Sequence, residues 1–552
     1  MSKIKIVALG GLNESGKNMY VIHIDNDIFV MDAGLRYAED VQLGIDYVIP
    51  DFSYLKANIK KIKGIFLTNG HENNMGAITD IIKELPKIPV YGTKFTLNMV
   101  RLECLEQRIK NPNLNELTAF KKVSFGKSSI FPVSMTYSVP DTVGYVINTP
   151  DGAVVYTGNY AFDFNANYPF KSDIGKLAYI GKQGVLCLLG ESLYADRIGH
   201  TSPYHRIGES VYELLVKNSG RLIFNINAVQ VFRIQEIVNE VLKTNRKIVF
   251  MGKKLQTIIH DAIKDKYLKI DKKRIGDLSN IDDPNVVLIV ANDFERPFAN
   301  INRIVSGYDK YIKLLETDTI VFTEPTDDSA EKIAANLGNE IARMGANVVP
   351  FREIRALHAS KEDILLMFNL MNPKYYIPVA GDYRFQVMNA DIIADTGFNP
   401  KNILLKQNGD TVKFLDGKLI NKPEKIKTGE IFIDGTTTDD IGGMVLKDRE
   451  MLSENGIILV SATIDKKTKE IVSGPDIATR GFIYVRDNID IIKEAISISK
   501  DIIESNISNN YVDYNKIKVG VREALGKYFY EQTEGRPMVL TVITEANLDQ
   551  KN

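Results

Sequence analysis

Cysteine is scarce in this chain, with Cys104 and Cys187 far apart and in no C-x-x-C arrangement among 552 residues. That excludes a disulfide scaffold and suggests a reducing compartment. No apolar run approaches the ~18 residues needed to span a bilayer. The opening Met1-Ser2-Lys3-Ile4-Lys5-Ile6-Val7 leads directly into a strand pattern, so neither a signal peptide nor a membrane anchor is expected, and a cytoplasmic location is. Excess charge of either sign is also missing. Lys+Arg 69 stands against Asp+Glu 70, a formal charge of -1, so no global positive field draws in nucleic acid and any such binding must use a local patch. Internal repeats and low-complexity tracts are absent too. What is present is ordinary for a globular protein, 44% hydrophobic and 25% charged. The length exceeds one compact core and implies three to four domains' worth of material.

Short apolar runs dominate through residue 190, at 4–9, 20–24, 28–31, 65–67, 154–156 and 185–189, with a helical pattern at 96–110. They predict mixed strands in sheets covered by helices. From Ser202 the rhythm becomes alternation: helices at 207–217, 234–243, 255–264 and 329–344, interleaved with strands at 221–225, 247–251, 286–290 and 320–322. This predicts a parallel sheet with crossover helices. The stretch 422–447 mixes Pro, Gly, Thr and charge and reads as a linker. Beyond it, strands at 456–461, 482–485 and 538–543 and helices at 490–506 and 516–530 form a third unit.

Several motifs carry more than periodicity. Thr68-Asn69-Gly70-His71-Glu72-Asn73-Asn74-Met75-Gly76 sits between an apolar run and a helical pattern. The opening Gly10-Gly11-Leu12-Asn13-Glu14-Ser15-Gly16-Lys17-Asn18-Met19-Tyr20 is followed by Asp32-Ala33-Gly34 and by Leu43-Gly44-Ile45-Asp46-Tyr47-Val48-Ile49-Pro50-Asp51-Phe52. Far downstream come Met371-Asn372-Pro373-Lys374-Tyr375-Tyr376-Ile377-Pro378-Val379 and Val472-Ser473-Gly474-Pro475-Asp476-Ile477-Ala478-Thr479-Arg480-Gly481-Phe482. In these motifs the chain resembles ribonuclease J, a bacterial member of the β-CASP group of metallo-β-lactamase-fold RNA nucleases, along essentially its whole length. The resemblance implies an α/β fold, a metallo-β-lactamase αββα sandwich with an inserted β-CASP α/β domain and a small α+β C-terminal domain. It divides the chain into 1–203 and 354–430 for the sandwich, 204–353 for the insertion, a linker at 431–446, and 447–552 for assembly.

The family uses two divalent metals, typically zinc, and carries H-x-H-x-D-H where this chain has residues 69–74. Its remaining ligands fall before a Ser-x-Pro-Asp turn, after Thr-Gly, and in the segment around 377–382. The seven positions therefore read Asn69, His71, Asn73, Asn74, Tyr137, Asn159 and Ala380. Zinc wants imidazole, thiolate or carboxylate, and a carboxamide is a neutral, poor donor. Only His71 could coordinate. A bridging carboxylate also offsets the repulsion between two dications and helps generate hydroxide at neutral pH, which Asn159 cannot do. No metal cofactor is expected to bind, although Asn is nearly isosteric with Asp and can keep the pocket's shape.

Ile354-Arg355-Ala356-Leu357-His358-Ala359-Ser360 aligns with a family substrate loop of the type H-x-S-G-H-A-S. By that resemblance Ile354, Arg355, Ala356, Leu357 and His358 are the substrate-binding candidates, with His358 as a residual phosphate contact and no catalytic residue assigned. Glu191 stands where the family has Asp. Asn292-Asp293-Phe294-Glu295-Arg296-Pro297 replaces the small, amide-rich loop that cradles a 5′-monophosphate. Gly11 to Lys17 matches a G-x-x-x-x-G-K skeleton, but Asn18 follows where Ser or Thr would hold Mg²⁺, so the glycines are read as turn formers. Eleven Lys/Arg against three Asp between 243 and 274 read either as a solvated helix face or as a phosphate-tracking patch. The whole implies a catalytically silent or strongly impaired paralogue in RNA processing and decay. Its partners would be an active ribonuclease J, weakly bound RNA and a homodimer or hetero-oligomer, with no membrane. The alternative is a weakly active 5′→3′ exo- or endoribonuclease, and a further reading is an RNA-binding regulator independent of the active enzyme.

Overall fold

The strand Lys3–Gly10 shows how the first unit is built, because its side chains alternate between two cores. Val7 and Leu9 join one apolar cluster, and Ile4, Ile6 and Ala8 join another. A strand buried on both faces needs a layer on each side. In a computed structural model describing residues 2–38, 44–292, 298–323, 331–350, 354–435, 443–482, 488–508 and 511–547, those layers are a second sheet and a set of helices. The first sheet has eight strands, ordered Lys418–Leu419, Thr411–Leu415, Lys3–Gly10, Met19–Ile24, Asp27–Met31, Ile62–Phe66, Val90–Gly92 and Leu114–Glu116. The second has six, ordered Tyr375–Val379, Val185–Glu191, Gly152–Tyr156, Val143–Thr149, Ser128–Ser134 and Val123–Phe125. Ile6, Tyr20 and Ile22 meet Tyr145, Val154 and Tyr156 between them. Helices Ile78–Glu84 and Lys94–Glu106 cover the outside of the first sheet, and Ile174–Gln183, Lys361–Met371 and Tyr383–Ala394 cover the second. The result is the αββα sandwich that the resemblance implies, with sheets covered by helices as the apolar runs predict.

Strands Val185–Glu191 and Tyr375–Val379 pair in parallel, Cys187 with Tyr375 through Glu191 with Val379. The chain between them contains an insertion with its own sheet. It is parallel throughout, ordered Lys247–Met251, Val286–Asn292, Leu222–Asn227, Thr319–Phe322 and Asn347–Pro350. The alternation from Ser202 onward predicts the first four of these strands in chain order to within two residues and misses Asn347–Pro350.

A second compact unit comprises residues 39–45 and 439–552. Its three strands run in the order Ile471–Arg480, Ile457–Asp465, Met538–Ala546, with helices Ile489–Ser505 and Tyr514–Thr533 closing one face around Ile458, Val460, Leu525 and Phe529. No helix of the described residues is long and apolar enough to cross a membrane.

Two expectations need revisiting. The strand Ile471–Arg480, which pairs Ile457 with Arg480, is not predicted, because its Gly474 and Pro475 are turn residues that mask the strand pattern; the strand predicted at 482–485 lies, beyond Phe482, outside the described residues. The linker at 431–446 is structured at both ends. Glu430–Ile433 pairs with Tyr47–Pro50 as a strand, and the helix Gly443–Asn455 starts before 446. A four-residue edge strand supported from far away in sequence leaves too short a pattern to read.

Candidate functional site

The strand Ile62–Phe66 ends at the corner that holds residues 68–76, and three backbone bonds help to fix that corner. Asn18 N donates to Asn73 O at 3.2 Å, Ala33 N to Asn74 O at 2.7 Å and Leu35 N to Glu72 O at 3.0 Å. Gly34 is required here, because a Cβ on it would lie 1.8 Å from Asn73 O. The loop's shape therefore does not depend on metal ligands.

Beneath the corner lies Asp32, wholly buried. It accepts from Thr68 N at 2.7 Å, Thr68 Oγ1 at 2.9 Å, Asn74 Nδ2 at 2.8 Å and Tyr156 OH at 2.8 Å. Burial pushes its carboxyl up to about 6, against the pull of those donors. Burial raises the Tyr156 hydroxyl well above its ordinary range, and the Asp32 charge adds to that. Asn74 Oδ1 is buried with no hydrogen-bond partner, since the amide's other end is committed to Asp32.

The remaining positions form a chain of contacts. Asn69 accepts from His71 N at 2.9 Å and donates through Nδ2 to Asn159 Oδ1 at 3.3 Å. Asn159 Nδ2 donates to Glu191 Oε1 at 2.7 Å. Glu191, only 1% exposed, accepts from Tyr160 N at 3.2 Å and from His358 Nδ1 at 2.6 Å. The carboxylate can only accept, so it fixes the proton on Nδ1 and leaves Nε2 facing Tyr137 OH at 3.4 Å. The Tyr137 ring stands between two imidazoles, its centroid 5.2 Å from that of His358 and 6.4 Å from that of His71. His71 Nδ1 approaches Glu72 Oε2 at 3.4 Å, and Glu72 is held in turn by Tyr37 OH at 2.6 Å and Asn227 Nδ2 at 2.9 Å. Ala380 follows the residue paired with Glu191, and its N donates to Gly11 O and to Tyr20 OH, each at 3.1 Å. Its φ of 59° is left-handed and unfavourable for a residue with a Cβ.

Six of the seven family ligand positions and His358 thus lie in or beside one hydrogen-bonded cluster. Within the 354–358 loop only His358 offers a polar side chain to it. The Arg355 guanidinium instead donates to Ile198 O at 3.0 Å and His200 O at 2.8 Å and lies 4.7 Å from the centre of the Tyr204 ring. Leu357 is buried, and Ile354 packs on an apolar cluster. Glu191 reaches both Asn159 and His358 despite its additional methylene. The 5′-phosphate loop at 293–297 lies outside the described residues. Gly11 and Gly16 have φ of 89° and 92°, in keeping with a turn-forming role. Two participants escape sequence reasoning. Asp32 is visible as a motif but without a role, and Tyr194, whose ring lies 5.5 Å from His358 with Arg197 3.6 Å above it, has no local signal at all.

The donor set does not fit a two-metal centre. One imidazole, one orphaned amide oxygen and a phenol replace charged and imidazole ligands, while Asn69 is spent on Asn159 and the Asn74 amide nitrogen on Asp32. Among the described residues no group of three or more His, Cys, Asp or Glu is arranged to hold a metal ion.

Comparison with known proteins agrees with the architecture. Family models described as "Ribonuclease J, beta-CASP domain" and "Ribonuclease J C-terminal domain" match residues 219–338 and 444–546. A protein named Ribonuclease J 2 from Staphylococcus aureus (strain MRSA252) is 35% identical over 98% of both chains. Its namesake in Staphylococcus epidermidis is 34% identical over the same shares. A crystal structure of a protein of unknown function from Enterococcus faecalis V583 superposes with a TM-score of 0.53 at 14% identity, over 75% of this chain and all of that one, which supports the fold alone. Similarity at this level over almost the whole length, joined to the sandwich and its inserted parallel sheet, places the chain in the ribonuclease J family.

Proposed function

We propose that the chain is a catalytically silent or strongly impaired member of its family, acting in RNA processing and decay in the cytoplasm as a structural or regulatory subunit of an active ribonuclease J. The observation that carries this reading is the closed network itself. Asn69 bonds to Asn159, Asn159 to Glu191, Asn74 to Asp32 and Tyr137 to His358, where metals would need open, converging donors. Hydrolysis by the family's route needs a metal-activated water, and nothing in this cluster replaces two dications. Assembly is supported by a separate compact unit that matches the family's C-terminal domain and by the ease with which a twofold contact accepts a close relative. Within this cluster the one residue left for phosphate contact is His358, whose imidazole the Glu191 carboxylate orients.

The test combines elemental analysis, nuclease assays on 5′-monophosphorylated RNA, and mass measurement of the chain alone and mixed with an active ribonuclease J. The expected result is no stoichiometric zinc or manganese, no processive decay, and a mixed oligomer whose decay rate differs from that of the active enzyme alone. About two metals per chain, lost on His71→Ala, would overturn the reading. The alternative of a weakly active exo- or endoribonuclease draws on one observation, the intact Glu191–His358–Tyr137 relay. Residual activity abolished by His358→Ala would favour it.

A further inference from the structure

The basic run between 243 and 274 separates into two populations. Arg246 donates to Gly220 O at 2.9 Å, and Arg274 to Arg246 O at 2.6 Å, so both guanidinium groups staple backbone. Lys254 reaches Glu103 at 2.6 Å and Glu106 at 2.9 Å, and Lys94 reaches Asp265 at 2.7 Å, joining this helix to the helix Lys94–Glu106. These charges are structural. Lys264 and Lys272 are exposed and have no acidic partner among the described residues.

Both line a cavity of about 780 Å³ at the edge of the inserted sheet. The edge strand is Lys247–Met251, beside which Ile275 makes a parallel bridge to Ile248. Phe250, Ile259 and Ile263 supply an apolar lining, and His260, Lys264 and Lys272 supply polar heads. At ~100° per residue, the cavity-lining positions 256, 260 and 263 of the helix Lys253–Lys264 point away from Lys254, whose face the acids of the neighbouring helix anchor. The groove is therefore not consumed by the junction that fixes the helix. The one acid on the lining, Asp277, has Oδ1 engaged by Ser279 N at 2.8 Å and Ser279 Oγ at 2.5 Å.

We infer that this groove binds single-stranded RNA, a base stacking on the exposed His260 ring over an apolar floor of Phe250, Ile259 and Ile263 while Lys264 and Lys272 hold the flanking phosphates. An aromatic face accepts any base by stacking, and ammonium groups on either side track the backbone. The volume suits a nucleobase with its sugar rather than a flat charged contact. Lys253, Lys266, Lys269 and Lys273, exposed and without acidic partners among the described residues, add positive charge nearby along the chain, which favours a strand of several nucleotides over a free mononucleotide. This site is separate from the His358 cluster, so it stands whether or not that cluster is silent.

The test uses the full chain and a short fluorescent oligoribonucleotide, followed by anisotropy across a salt series. Lys264→Glu with Lys272→Glu should weaken binding by ~10-fold or more and flatten the slope of log affinity against log salt by about 1.4, the loss of two single-strand phosphate contacts. Lys264→Arg with Lys272→Arg should leave both unchanged, and an unaltered thermal melt of each pair establishes folding. A 4-thiouridine oligonucleotide should cross-link to residues between Phe250 and Leu278. Unchanged affinity and slope in the charge-reversed pair would overturn the proposal. So would cross-links confined to the neighbourhood of His358, or a poly-aspartate peptide that binds the groove while thiouridine does not, which would assign it to an acidic protein segment.

Discussion

Replacing Asp32 by Asn tests the buried network through its proton. The carboxyl is pushed up to about 6 from an ordinary 3.8 because it is wholly enclosed, although Thr68, Asn74 and Tyr156 all donate to it. Between those values the folded chain holds a proton that the unfolded chain has released. Stability is therefore fully present below pH ~4, falls as pH rises through ~6, and is level above that. At about 1.36 kcal/mol per pH unit the difference is about 3 kcal/mol. Asn resembles the protonated side chain in shape and cannot ionise, so Asp32→Asn should lack this component, while every other titrating group cancels in the comparison. Urea unfolding of wild type and variant at a series of pH values measures it. The variant should gain about 3 kcal/mol on wild type between pH 4 and pH 7. Parallel curves would refute the reasoning and mean that the four donors hold the carboxylate ionised at no net cost.

Restoring Asn69→His, Asn73→Asp, Asn74→His, Tyr137→His, Asn159→Asp and Ala380→His together should give a protein that takes up zinc or manganese by elemental analysis before it regains exonuclease activity, because residues 292–297 would still lack the family's phosphate loop. Gly34→Ala should lower the melting temperature sharply, since its Cβ would fall 1.8 Å from Asn73 O; a melt within a degree of wild type would show that the corner yields. Removing residues 447–552 should reduce the mass in solution toward that of a monomer and leave circular dichroism of the remainder cooperative, because the second compact unit has its own core; unchanged assembly would place the contact elsewhere.

The elements most legible in the sequence are those whose side chains repeat with one period. The inserted domain alternates strand and amphipathic helix, so Lys247–Met251 is read to the residue and its neighbours nearly so. Glu430–Ile433 could not be read, because its strand exists only through pairing with Tyr47–Pro50, far away in the chain. The site divides in the same way. That Asn69, Asn73, Asn74 and Asn159 are poor metal ligands follows from residue type alone. That Asn69 and Asn159 brace one another, that Asp32 anchors Asn74, and that Tyr137 stands between His71 and His358 depends on loops brought together by both sheets. Arg355 shows the converse, a charged residue in a substrate-like motif whose guanidinium is spent on backbone carbonyls.

The parallel pairing of Val185–Glu191 with Tyr375–Val379 bears on how the chain folds. The two strands are neighbours in the sheet, yet an entire domain separates them along the chain. Closing a disordered loop of that length would cost about 5 kcal/mol of chain entropy before a single ladder bond formed. If the inserted sheet has already formed, its own ends hold the two strands near each other and most of that cost is gone. During synthesis the first part of the sandwich would then wait, with one edge of Val185–Glu191 open, until the insertion has folded and the strand Tyr375–Val379 arrives. Mutations that slow the inserted domain should accordingly appear as slow folding, or as edge-to-edge aggregation, of a sheet they never touch.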